Sequence, residues 1–212
     1  MNIAIIGGPG NGMVAAAVAA ARRMAGDDIN VVGFLNDNLP RGTRIGDFEV
    51  IDRPDNWRSL PADTLFVQAI LSVGKMHERR ERLQQLEIPN ERWANLIHPY
   101  SAISDDVVLG VGNVVCAFAT IQPMVKIGDH CFIRAGANVG HDAQIADCVD
   151  LGPNTTICGY AELETGVHIA PNAVVRDRLK VGAFSTLSAG SAALKDMPLN
   201  STWIGNPARR IK

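Results

Sequence analysis

Every sixth residue from Ile103 onward is aliphatic: Ile103, Leu109, Val115, Ile121, Ile127, Ile133, Val139, Ile145, Leu151, Ile157, Leu163, Ile169, Val175, Val181 and Leu187. Helices and ordinary strands do not keep this beat, because their side-chain periods are about 3.6 and 2. A fixed period of six is the mark of a parallel β-helix, in which very short strands turn after each hexad. Three hexads close one three-sided coil of about 18 residues, so residues one coil apart stack at roughly the strand spacing of 4.8 Å. The first place of each hexad then points into the prism. The fifth place carries mostly small residues that suit a tight corner, among them Ala119, Cys131, Ala137, Ala143, Thr155, Ala161, Ala173, Ser185 and Ser191. Glycine follows the aliphatic residue at Gly110, Gly128, Gly140, Gly152 and Gly182, where a bend calls for relaxed sterics. The run allows about five coils with no inserted loop.

Residues 1–97 read differently. Asn2–Ile6 is an apolar strand, Gly7–Gly12 a glycine-rich turn, and Met13–Arg23 an alanine-rich helix. Ile29–Leu35, Phe48–Ile51 and Thr64–Leu71 read as further strands, and Lys75–Leu86 as a charged helix. Strand alternating with helix argues a small parallel sheet of Rossmann type. Trp93–Ile97 leads to His98-Pro99, the expected junction. The expected organisation is therefore an α/β Rossmann-like domain over 1–97 and an all-β parallel β-helix over 98–212.

A chain of 212 residues with net charge −2 carries no excess of basic residues to bind nucleic acid or a membrane surface. The start MNIAIIGG lacks the basic opening and long apolar stretch of a signal peptide, and no run approaches membrane-spanning length. Cys116, Cys131, Cys148 and Cys158 form no CxxC pair and are expected as small buried thiols. These features predict a cytoplasmic protein. The glycine turn can hold an anion on backbone N–H groups at the start of a helix. Gly8, Gly10 and Gly12 only approximate the G-x-G-x-x-G fingerprint, so a tight turn, a sugar nucleotide and a redox dinucleotide all remain open from the residues alone.

Taken together, the chain resembles the bacterial sugar O-/N-acyltransferases that join a Rossmann-like N-terminal domain to a left-handed β-helix. Sialic acid O-acetyltransferases and N-acetyltransferases of nucleotide-linked 4-amino sugars are members. The likeness rests on Ile5–Gly12, Gly33–Asp37, Leu96–Pro99, Val139-Gly140-His141-Asp142 followed by Ile145, and Trp203–Arg209. It implies a left-handed prism and a role in polysaccharide biosynthesis. It implies homotrimers with sites between neighbouring prisms, acetyl-CoA as donor, and a sugar or sugar-nucleotide acceptor on the N-terminal domain. Acceptor positions fall on Gly8, Pro9, Gly10, Asn36 and Asp37. Donor positions fall on Asp150, Gly159, Pro171 and Ala189. The base falls on His141 and its acidic partner on Asp142. Imidazole titrates near neutral pH, and a carboxylate on its far nitrogen would set the tautomer for accepting a proton. Gly159 stands one coil above His141, with room for a thioester and an N–H for its oxyanion. Direct transfer without an acyl-enzyme is expected.

Four positions depart from the family's common pattern. Asn11 stands where His is frequent, Asn36 where Asp is frequent, Arg134 where Asn is common, and Asp150 where a second His lies near the thioester. The segment Ala69–Gly74 is also altered. His168 follows Asp150 by one coil, so the two are expected to pair and take the place of that second His. Arg134, counted with the acceptor residues, is expected to act as a fixed cation favouring an acidic or hydroxyl acceptor. His77–Arg82 reads as a solvated helix face, with acceptor-phosphate contact by Arg79 or Arg80 as the alternative; Lys195, Arg209 and Arg210 read as surface charge, with the phosphates of CoA as the alternative. No metal is expected, since no two of His130, His141 and His168 are separated by whole coils, as a β-helix zinc site would need. The alternatives are a non-catalytic sugar-nucleotide-binding scaffold or an acyltransferase with a different acyl donor.

Overall fold

The computed structural model describes residues 1–212. Asn2–Gly7 (β1), Asn30–Leu35 (β2), Arg44–Ile45 (β3), Phe48–Asp52 (β4) and Thr64–Ala69 (β5) form one sheet in the order β3-β4-β2-β1-β5. All neighbours are parallel except the β3–β4 hairpin. Alternation along β1 sends Ile3 and Ile5 to one side and Ala4 and Ile6 to the other. The first side packs on Ala15, Val18 and Ala19 of helix α1 (Pro9–Met24). The second packs on Met76 and Leu83 of helix α2 (Met76–Gln85), with Trp57 and Trp93.

Helix α1 starts at Pro9, earlier than its alanine-rich stretch predicts. Proline suits the first helical position, where its missing N–H is not needed and its φ is already helical. The turn therefore shrinks to Gly7-Gly8, with Gly8 as the N-cap. Gly12 lies inside the helix because any Cβ there would collide with the Phe34 ring. Strand β5 ends at Ala69, two residues before its apolar run does. The β3–β4 hairpin and the 3₁₀ turn Pro54–Ser59 carry no period that sequence could have shown.

From Leu96 onward, two-residue strands recur every hexad on three faces. Face 1 holds Thr120–Ile121, Asn138–Val139 and Thr156–Ile157. Face 2 holds Lys126–Ile127, Gln144–Ile145 and Glu162–Leu163. Face 3 begins with Leu96–Ile97 and holds Phe132–Ile133, Asp150–Leu151 and His168–Ile169. Stacked partners such as Ile121, Val139 and Ile157 are 18 residues apart. The aliphatic row points inward, and from Val115 to Leu187 none of it is more than 3 % exposed. Ile103 and Leu109, in the open first coil, are half-buried.

The corners differ from expectation. From Gly112 to Gly190 the fourth place of each hexad adopts φ near +60°, at Phe118, Met124, His130, Asp142, Cys148, Asn154 and Tyr160 among others, as well as at Gly136 and Gly166. This conformation costs an L-residue roughly 1–2 kcal/mol. It is offset by a hydrogen bond to the coil below: the Asp142 N–H donates to Pro123 O, and the Tyr160 N–H to His141 O. The glycines after the aliphatic row serve close approach instead of a bend. A Cβ on Gly140 would stand 2.7 Å from Gly159 N, and one on Gly152 2.7 Å from Pro171 N.

Face 3 is covered by the N-terminal region. Its outward Val114 and Phe132 share one apolar cluster with Ile5, Ala15 and Val18. Gln68 Nε2 donates to His130 O at 2.8 Å, and Trp93 meets the His130 ring edge-on. The far end of the prism is closed by the antiparallel pair Thr202–Ile204 and Arg209–Arg210, with Trp203 and Ala208 in the core. Trp203 pairs with Leu187 only 16 residues earlier, so the last coil is short by two. Ile157→Ala, which empties a fully buried inward position, should cost about 2–5 kcal/mol. Denaturant unfolding followed by circular dichroism measures that loss.

Candidate active site

The α1 N-terminus opens on a cleft of about 420 Å³, lined by Gly8, Pro9, Gly10, Asn11, Asn36, Asp37 and Arg79 among others. The first intrahelical bond runs from Gly12 N–H to Gly8 O, so the N–H groups of Gly10 and Asn11 have no backbone acceptor. Such a helix start attracts anions through its free donors and its dipole. The expected acceptor residues thus lie together, but two of them hold the chain itself. Asn36 is buried; its Nδ2 donates to Gly7 O at 2.7 Å, and its Oδ1 accepts from the N–H groups of Asn38 and Leu39. Asp37 receives both Nε and one terminal nitrogen of Arg82, which also grips Asp55. These bonds shape the cleft wall. Arg79, from α2, is the cation that faces the helix start.

A second cleft of about 400 Å³ adjoins the first through Asn11, Leu71 and Ser72, and contains Arg134, Asp150, His168 and Pro171. Asp150 and His168 are paired, as their spacing predicts, with Nδ1 3.0 Å from Oδ2. Arg134 adds Nε to Asp150 Oδ1 at 2.8 Å and a terminal nitrogen to Oδ2 at 3.2 Å. The same guanidinium reaches Asn11 Oδ1 at 2.9 Å, and Asn11 Nδ2 donates to Leu71 O. Three of the departures from the family pattern therefore form one ladder from prism to helix start. Arg134, expected as a fixed cation, is held in place, and its charge is met by Asp150. Burial alone would raise the Asp150 carboxyl, but the bonds from His168 and Arg134 outweigh it and hold the group below the usual carboxylate range.

His141 and Asp142 stand on the corner between faces 1 and 2, and His141 is exposed. Asp142 adopts φ +59°, which turns its side chain back along the chain. Its Oδ2 lies 2.9 Å from His141 Nδ1. The backbone N–H of His141 donates to Gln122 Oε1, a contact from the coil below that sequence did not suggest. Gly159 covers the ring so closely that a Cβ there would stand 2.8 Å from Nε2. Its room thus admits the imidazole itself. The Gly159 N–H has no acceptor in the backbone. Tyr160 meets His141 edge-on at 5.1 Å, and Arg178 lies over the Tyr160 ring.

Pro171 and Ala189 stack on the corner between faces 3 and 1, where Gly190 N–H bonds Pro171 O. One chain therefore does not bring His141, Asp142 and Gly159 together with Asp150, Pro171 and Ala189. Face 1 separates the two sets.

Asp150→Asn should lower stability at neutral pH by about 3–5 kcal/mol, the cost of stripping a partner from a buried ion pair. The carboxyl titrates lower in the folded chain than in the unfolded one. Its contribution is therefore full above the ordinary value near about 3.9 and fades as pH falls through the folded value. Urea unfolding of both proteins across that range should show the gap closing in acid; an unchanging gap would mean the charge contributes nothing.

The bacterial transferase hexapeptide (six repeats) family matches residues 124–159. No curated protein gives a significant sequence match. Among solved structures, the acetyltransferase domain of PglB from Neisseria gonorrhoeae FA1090, in complex with acetyl coenzyme A, is 29% identical with a TM-score of 0.84, covering 99% of this chain and 98% of that one. A perosamine N-acetyltransferase variant from Caulobacter crescentus, in complex with CoA and GDP-perosamine, is 24% identical with a TM-score of 0.84, covering 100% and 97%. WeeI from Acinetobacter baumannii AYE is 24% identical with a TM-score of 0.82, covering 100% of both chains. Along its whole length the chain shares with these structures a Rossmann-like N-terminal sheet joined to a left-handed β-helix, and its hexads match the bacterial transferase hexapeptide family over residues 124–159.

Proposed function

We propose that this protein is an acetyl-CoA-dependent acetyltransferase that acylates an amino group on a nucleotide-linked sugar, working as a homotrimer in the cytoplasm. The observation that carries this reading is the exposed His141–Asp142 pair lying under a glycine with a free N–H. The full-length likeness to an acetyl-CoA-bound acetyltransferase domain supports the donor. Asp142 accepts from Nδ1–H, which leaves Nε2 with a lone pair. As the amine attacks the thioester carbonyl, Nε2 takes its proton. The tetrahedral oxyanion collapses, the C–S bond breaks, and the imidazolium returns the proton to the departing thiolate. The Gly159 N–H is suited to hold the oxyanion.

The acceptor reading rests on the paired clefts. Phosphates suit the α1 N–H groups and Arg79, and the sugar extends past Asn11 into the second cleft. Since Asp150 neutralises Arg134, no unpaired cation there opposes an ammonium group. Assembly is argued from the split site. His141 and Gly159 can meet Asp150, Pro171 and Ala189 only if another copy supplies one of the two corners. The first strand residues along face 1, between them, are Ala102, Thr120, Asn138, Thr156, Val174 and Ala192, all uncharged, with Arg176 at its edge, whereas those of face 2 include Lys126, Glu162 and Lys180. A face whose strand rows are uncharged suits burial in a head-to-tail contact, which closes as a ring. Four unpaired thiols, three of them buried, suit a reducing compartment.

His141→Ala should cut thiol release from acetyl-CoA by about 100- to 10,000-fold. Size-exclusion chromatography should still give the trimer and calorimetry should still detect CoA binding; loss of the trimer would make the residue structural. Gly159→Ala, which pushes a methyl group against Nε2, should suppress turnover with little change in melting temperature. Full activity in that variant would show that turnover does not depend on the close contact between Gly159 and the ring.

A further inference from the structure

We propose that His168 recognises the acceptor: its Nε2 accepts a hydrogen bond from a hydroxyl of the sugar ring beside the reacting amine. This rests on the reading of the paired clefts as the acceptor site.

His168 is 8% exposed, yet its Nε2 makes no hydrogen bond within the chain and opens on the second cleft. The ring is fixed at its other nitrogen, where Nδ1–H donates to Asp150. That bond assigns the lone pair of the neutral ring to Nε2, so the group facing the cleft is an acceptor in search of an O–H or N–H. Both Asp150 oxygens are engaged, and Arg134 and Asn11 bind each other. His168 thus ends the ladder with a ring nitrogen free.

The ladder also sets where that nitrogen stands. Asp150 is gripped by Arg134, Arg134 by Asn11, and Asn11 sits in the first turn of α1, where the phosphates would lie. The distance from the anion site to Nε2 is therefore fixed by hydrogen bonds rather than by a flexible side chain. Such a ruler suits a ligand that carries an anion at one end and a hydroxylated ring at the other. An acyl chain would gain nothing from it, because an unpaired imidazole nitrogen in an apolar contact loses its hydration without replacement.

Acetyl-CoA as donor and GDP-perosamine as acceptor probe give a direct test. His168→Leu should raise the acceptor KM by about 10-fold, as loss of one hydrogen bond does, and leave kcat and the donor KM within about 3-fold. His168→Gln, whose side-chain oxygen can accept the same proton, should recover most of the loss. An unchanged acceptor KM, a rise confined to the donor KM, or a collapse of kcat alone each overturns the proposal. Should His168→Leu fail to fold, the imidazole nitrogen spectrum of the wild-type protein decides. The His168 Nε2 signal must shift when the probe binds, and a fixed signal overturns the proposal. A wild-type protein that binds CoA but neither binds nor acetylates the probe overturns the acceptor reading itself.

Discussion

The corner of each coil is the constraint on which the molecule rests. A residue with φ near +60° donates its N–H to the coil below, and the aliphatic row then turns inward on the next face. The stacked coils offset the cost of that conformation by giving each corner from Phe118 to Gly190 a partner, so the prism is stable only as a whole. One of these corners carries Asp142. The conformation that lets the chain turn there is the same one that folds the carboxylate back onto the preceding imidazole. The geometry of the proposed base is thus inherited from the architecture and needs no loop to hold it.

Two kinds of interaction join the prism to the N-terminal region. Phe132 and Val114 leave face 3 and enter the same apolar cluster as β1 and α1. Beside them runs the polar ladder Asn11–Arg134–Asp150–His168, whose members come from both parts. The apolar contact supplies adhesion, which is indifferent to small rotations. The ladder supplies direction, because a bidentate guanidinium–carboxylate pair tolerates little misalignment. The start of α1 is therefore tied to the second cleft by both means.

What sequence revealed was local and repeated; what it hid was remote. The inward row, the pairing of Asp150 with His168 and the placing of Gly159 over His141 all follow from counting hexads. The left-handed corners did not show, because Phe118, Met124, His130 and Cys148 share no chemistry that would announce them. The cleft residues Asn36 and Asp37 were legible as positions but not as roles, since the backbone Asn36 holds and the Arg82 that grips Asp37 are brought there by folding. Arg134 read as a cation turned to the acceptor because counting hexads set Asp150 beside His168 and did not show that the same carboxylate also takes the Arg134 charge. The long reach of α1 into the glycine run was hidden by residues that are poor helix formers away from a helix start.

The short final coil has a consequence for how such a chain can change its length. Inside the prism an extra residue would turn every later aliphatic side chain off its row, since the stack has no slack in register. At the last coil the spacing already departs from the rest, and Trp203 still finds Leu187 and seals the end. Lengthening or trimming is therefore tolerated at the terminal seal, while the middle keeps its row only if a change spans whole turns of the spiral or loops out at a corner.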